Sequence, residues 1–145
     1  MQRRLMDILA DPDNTDFWPL KLISFNSEIR ERKTRAKPHS NSGLLCKFYC
    51  EKNQSFLVTD PLEDNEKILP QDKLDAITTL EKCYQCSEEE IIDGIIYHHF
   101  EDNIKWFIID REIAVLFPTN LRDTAQEETF INKYTEECEK LGIKI

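Results

Sequence analysis

Four cysteines carry the clearest chemistry in this chain. Cys46 and Cys50 are separated by three residues, Cys83 and Cys86 by two, and 32 residues lie between the pairs. Two close pairs far apart in sequence are what a tetrahedral zinc site draws on: each knuckle supplies two thiolates, and folding brings the knuckles together. The pattern predicts a structural zinc, because a catalytic ion keeps an open position and usually takes histidine or carboxylate ligands as well. Such an ion would contribute on the order of 10–16 kcal/mol of apparent binding energy to a poorly cored segment. The competing reading is four small buried side chains in a reducing compartment. The fifth cysteine, Cys138, falls on the apolar side of a C-terminal helical pattern and reads as core.

Other chemistry is sparse. His98 and His99 are adjacent, so a strand turns them to opposite faces and they make no catalytic pair. With three glycines in the whole chain there is no Gly-rich phosphate loop, and neither a GxSxG elbow nor an HExxH motif is present. Nothing argues for an enzyme. The formal net charge of −9 argues against bulk nucleic-acid binding by long-range attraction. One local exception is RERKTRAK (30–37), with five basic side chains and one acid. It reads as a solvated loop, or as a phosphate contact through Arg32, Lys33 and Arg35 when a partner presents RNA.

The elements that must position these groups are legible in part. Hydrophobic content is 40 %, which is globular, and no apolar run approaches the roughly 20 residues of a membrane span. The opening apolar run is too short for a signal peptide, and five cysteines without an export signal point to the cytosol. Leu5, Met6, Ile8 and Leu9 share a helical face that Asp11-Pro12 ends, and FWPLKLISF (17–25) is extended. GLLCKFYC reads as a short strand or knuckle and QSFLVTD as a strand. Residues 70–82 form a helical pattern opened by Pro70, with Leu74, Ile77 and Leu80 on its buried side. Ile91 to Tyr97, Ile104 to Ile109 and Ile113 to Phe117 read as three strands. A last helix follows, with capping-box spacing at Thr124 and Glu127 and a stop at Gly142.

Two blocks then resemble a known family. RRLMDILADP (3–12) with FWPLKLISF (17–25), and EIIDGIIYHHFEDNIKWFIIDREIAVLFPTNLRD (90–123), are similar to the two halves of the small zinc-ribbon-type regulatory subunit shared by several RNA and release-factor methyltransferases. The match covers roughly 55 residues and is closest to archaeal and eukaryotic members, whose halves can be separated by an inserted region. The resemblance implies an α+β fold: a small antiparallel, zinc-ribbon-like sheet packed with N- and C-terminal helices. It implies a discontinuous domain, 1–25 plus 90–145, around an inserted subdomain at 26–89. It also implies a non-catalytic subunit that forms a heterodimer with S-adenosylmethionine-dependent methyltransferases by strand addition and apolar burial. RNA would then be met only through the partner. Family members commonly hold zinc between two knuckles with cysteines. The matching positions here are Asp11, Asn14, His98 and Glu101, so loss of that site is expected, with Cys46, Cys50, Cys83 and Cys86 as a relocated one.

The partner surface is predicted from KWFIID (105–110). Alternation sends Trp106 and Ile108 one way, Phe107 and Ile109 the other. One set packs on the chain's own helices. The other, with Ile113, Val115 and Phe117 nearby, faces a second protein, since a domain this small has little material to cover a second face. Partner binding is accordingly assigned to Trp106, Phe107, Ile109, Ile113, Val115 and Phe117. The alternative is one self-contained core. A different function, a stand-alone zinc-ribbon module that binds nucleic acid, would use the cysteine site and the 30–37 cluster.

Overall fold

The structure, a computed structural model, describes residues 1–61 and 67–143. A 3-10 helix, Arg3–Asp7, comes first, followed by strand β1 (Lys21–Ile29). Two small ladders come next: β2 (Tyr49–Cys50) pairs with β3 (Ser55–Phe56), and β4 (Val58–Thr59) with β5 (Lys67–Ile68). Helices α1 (Gln71–Ile77) and α2 (Leu80–Glu88) lead into β6 (Glu89–Phe100), β7 (Asn103–Asp110) and β8 (Ile113–Val115). A 3-10 turn, Thr119–Leu121, precedes α3 (Thr124–Lys133) and α4 (Thr135–Lys140). The fold is α+β, and its main sheet is four-stranded and antiparallel, in the order β1-β6-β7-β8.

Two compact units share the chain. The first holds Met1, Leu9–Glu28 and Ile91–Ile145; the second holds Gln2–Ile8 and Ile29–Glu90. The first 3-10 helix thus groups with the central segment, where residues 1–25 were expected to travel with 90–145. The cause is local chemistry. The buried Asp7 carboxylate accepts the backbone N–H groups of Lys47, Phe48 and Tyr49 at 2.7, 2.8 and 2.6 Å, and Arg3 pairs with Glu51 and Glu89 at 3.0 and 2.9 Å.

In the first unit, two-residue turns join the long strands. Phe100 faces Asn103 across Glu101-Asp102, and Asp110 faces Ile113 across Arg111-Glu112. Tight hairpins of this kind favour positive φ, usually supplied by Gly, Asn or Asp. Here Glu101, Arg111 and Glu112 adopt it, at 55°, 49° and 73°. The glycine that the sheet does require is Gly94, facing Ile109. A Cβ there would stand 2.5 Å from the carbonyl oxygen of Ile23, so β6 can approach β1 only without a side chain. Ile95 and Ile108 pack with Phe130, Ile131, Cys138 and Ile143, and Trp106 and Val115 lie against the same cluster. Asp93 is buried in β6. It accepts from the Tyr134 hydroxyl, from Lys133 Nζ at 3.0 Å and from the Arg111 amide at 3.1 Å. Burial pushes this carboxyl up, yet those donors outweigh it and hold it below its ordinary value.

The second unit has its own core of Leu44, Leu45, Cys46, Cys50, Leu57, Leu74 and Cys83. The helix read over 70–82 is two helices. Thr78 is extended, and Thr79 caps α2 by accepting the Lys82 amide. Two consecutive β-branched residues, the second a good N-cap, favour that break. The Cys83–Cys86 pair therefore lies inside α2 and not in a knuckle. The last helix likewise starts one residue early, with Asp123 and not Thr124 accepting the Gln126 amide, and breaks at Tyr134.

Candidate functional site

The loop before β1 is built around Asp11. Its amide donates to the Phe17 carbonyl at 3.2 Å, and one carboxylate oxygen accepts the Asp13 amide at 2.8 Å. Its side chain is 1 % exposed. Oδ2 meets His98 Nε2 at 2.6 Å and Oδ1 meets Lys105 Nζ at 2.8 Å. The same ammonium reaches Asp13 Oδ2 at 2.8 Å, and Asp13 also accepts from the amide and hydroxyl of Thr119. Phe17 stacks on His98 with ring centroids 4.5 Å apart. Burial raises the Asp11 carboxyl, but Lys105 and His98 outweigh it and hold it low. Lys105 and then Thr119 bring Asp13 down to about 2. Desolvation opposes the Lys105 charge, yet Asp11 and Asp13 hold the ammonium above its ordinary range.

Of the four positions matched to the family's zinc ligands, then, the fold joins Asp11 to His98. Asn14 instead accepts the Asp16 amide at 3.1 Å, and Glu101 is exposed in the β6–β7 turn. These residues do not fit zinc. Both Asp11 oxygens are engaged, one of them by the Lys105 ammonium, which repels a divalent cation there. Among the described residues, no three His, Cys, Asp or Glu side chains surround a common coordination point. Lys105 escaped the sequence reading, although it left a signal: it shares the inward parity of Phe107 and Ile109 on β7, where a lone charge implies a buried partner.

The assignment of partner contacts along β7 needs correction. Phe107 and Ile109 are 1 % and 0 % exposed, and Ile108 on the other face is 1 % exposed. The chain itself covers both faces, so Phe107 and Ile109 are core. Trp106 and Val115 are half-buried. The exposed apolar groups lie further along. Ile113, Phe117 and Leu121 are 66 %, 46 % and 63 % exposed, on or just beyond β8. β8 ends the sheet, and among the described residues no strand pairs with its outer side. The opposite margin differs in character: β1 presents Lys21, Asn26, Ser27 and Glu28 to solvent, a polar dressing that discourages strand pairing, with Ile29 at its end as the one exposed apolar residue of that strand. Beside the β8 margin, the Arg122 guanidinium lies 4.5 Å over the Trp106 ring and donates to Glu127 at 2.6 Å. Its Nη2 is buried with no acceptor among the described residues.

In the second unit, Cys46, Cys50, Cys83 and Cys86 line one pocket of about 300 Å³. The basic cluster is largely engaged within that unit. Arg32 donates to the Ser87 carbonyl at 2.9 Å and pairs with Glu90 at 2.6 Å, and Arg35 lies 4.4 Å over the Tyr84 ring. Lys33 is exposed. Among the described residues no helix is long and apolar enough to cross a membrane. No family model matches the chain, and neither a curated protein nor a solved structure matches it.

Proposed function

We propose that this chain is a non-catalytic activating subunit that forms a heterodimer with S-adenosylmethionine-dependent methyltransferases acting on tRNA, rRNA or translation factors. It works in the cytosol, and its partner's sheet adds a strand beside β8. The observation that carries this reading is the asymmetry of the sheet: the exposed residues of the β1 margin are polar except Ile29, while the other margin ends in a short strand flanked by exposed Ile113, Phe117 and Leu121. Strand addition gives affinity through main-chain hydrogen bonds, and flanking pockets give specificity. Large exposed apolar anchors of this kind dominate interface energetics once they are desolvated. The resemblance of residues 3–12, 17–25 and 90–123 to the methyltransferase subunits supplies the partner's class.

Direct nucleic-acid binding is the weaker reading. Arg32 pairs with Glu90 and Arg35, although exposed, lies over the Tyr84 ring, so two of the trio are already engaged. The test is native co-purification of the tagged chain with mass spectrometry. The expected result is a stoichiometric complex with a methyltransferase that is lost in the I113D/F117D variant. A monomeric chain that captures no such enzyme, or binds RNA alone with steep salt dependence, overturns the proposal.

A further inference from the structure

The four cysteines of the second unit come from two elements that the fold sets on one pocket. Cys46 and Cys50 bracket the loop into β2, whose amides Asp7 fixes in place. Cys83 and Cys86 are three apart on α2, hence on one helical face. Cys46, Cys50 and Cys83 are buried and Cys86 is half-buried, and all five cysteines of the chain are free thiols. Asn53 Nδ2 donates to Cys50 Sγ at 3.3 Å, the kind of N–H to sulfur contact that supports a metal-bound thiolate. Arg3, Arg4, Lys52 and Lys82 share the pocket wall with Glu51 and Glu89, a formal surplus of two positive charges that would balance the double negative charge of a zinc tetrathiolate.

We propose that Cys46, Cys50, Cys83 and Cys86 close on one zinc ion, which staples β2 to α2 in the core of the second unit. Four thiolates select a soft, tetrahedral ion, and zinc is the redox-inert one. The sulfurs stand on the pocket wall and do not yet surround a common point. Binding therefore draws them inward until each lies about 2.3 Å from the metal. Each thiol gives up its proton to solvent as its sulfur bonds the ion, so no oxidant or reductant is required. The site is separate from the Asp11–Lys105 cluster, and it does not depend on the partner edge.

The test uses the full chain, reduced and stripped of metal, titrated with Co²⁺ and then Zn²⁺. One equivalent of Co²⁺ should give a thiolate charge-transfer band and tetrahedral d–d bands, and one equivalent of Zn²⁺ should abolish them. Asn53→Ala leaves all four ligands and should weaken zinc by about 10–100-fold. Cys86→Ser should remove the four-sulfur spectrum, and Cys138→Ser should leave it intact. Three results overturn the proposal: wild-type chain that gives no thiolate band, a band unchanged in both Cys86→Ser and a Cys46→Ser/Cys83→Ser variant, or a native Cys46–Cys83 or Cys50–Cys86 disulfide.

Discussion

Lys105→Met removes one charge from the loop that Asp11 organises while keeping the apolar stem beside Phe107. Asp11 is 1 % exposed and would keep His98 and the Asp13 amide as partners. Removing one partner of a buried ion pair costs about 3–5 kcal/mol. The Lys105 side chain is itself 24 % exposed, and Asp11 is not left bare, so about 2–3 kcal/mol is expected. For a chain of this length that is a fall of about 5–10 °C in Tm. Urea denaturation at neutral pH should show a lower midpoint with an unchanged slope. The D11N/K105M double variant should recover part of the loss, because no buried charge remains unpaired. Acid supplies an independent arm. Asp13 sits at about 2 in the folded chain against an ordinary 3.8. A depressed folded value means that the unfolded chain binds protons first on acidification. The stabilisation is then complete above the ordinary value and is lost as pH falls from about 4 towards 2. Without Lys105 the folded value rises, so that contribution shrinks and what remains is lost at higher pH. A loss under about 0.5 kcal/mol, or recovery of the variant by added zinc, refutes the argument that this ammonium sits where the resemblance expects a metal.

Two further outcomes follow from the sheet. Gly94→Ala should destabilise by about 1–3 kcal/mol in urea titration, because its Cβ meets the Ile23 carbonyl and neither strand can yield freely. Arg111→Gly should stabilise by about 0.5–1 kcal/mol, measured by Tm, since φ 49° strains an arginine and suits a glycine, and the side chain is 83 % exposed.

A short continuous apolar run bounded by polar turns made β7 and the hairpin after it readable, and the apolar stripe of Phe130, Ile131 and Cys138 marked the C-terminal helices. Their breaks were not readable, because Thr78-Thr79 and Tyr134 interrupt patterns whose apolar period continues across them. The two apolar faces of β7 were visible in sequence, but not what covers them: periodicity places a side chain on a face without saying whose atoms lie opposite. The family resemblance pointed to Asp11 and His98 among four positions, and the structure joins those two. It gave no hint that Lys105, Asp13 and Thr119 complete the cluster, since those contacts span 92 residues or more. The cysteine pairs were legible as pairs, whereas the helical setting of Cys83 and Cys86 was hidden by the resemblance of CYQC to a knuckle.

In the proposed heterodimer the β8 margin is the partner's seat. Amide hydrogen exchange of the chain, alone and in its purified complex, tests that directly. Strong new protection across Ile113–Val115, with slower exchange extending to Phe117, is the predicted result. Protection confined to β1 or to the second unit, with β8 exchanging as fast as in the free chain, would contradict it.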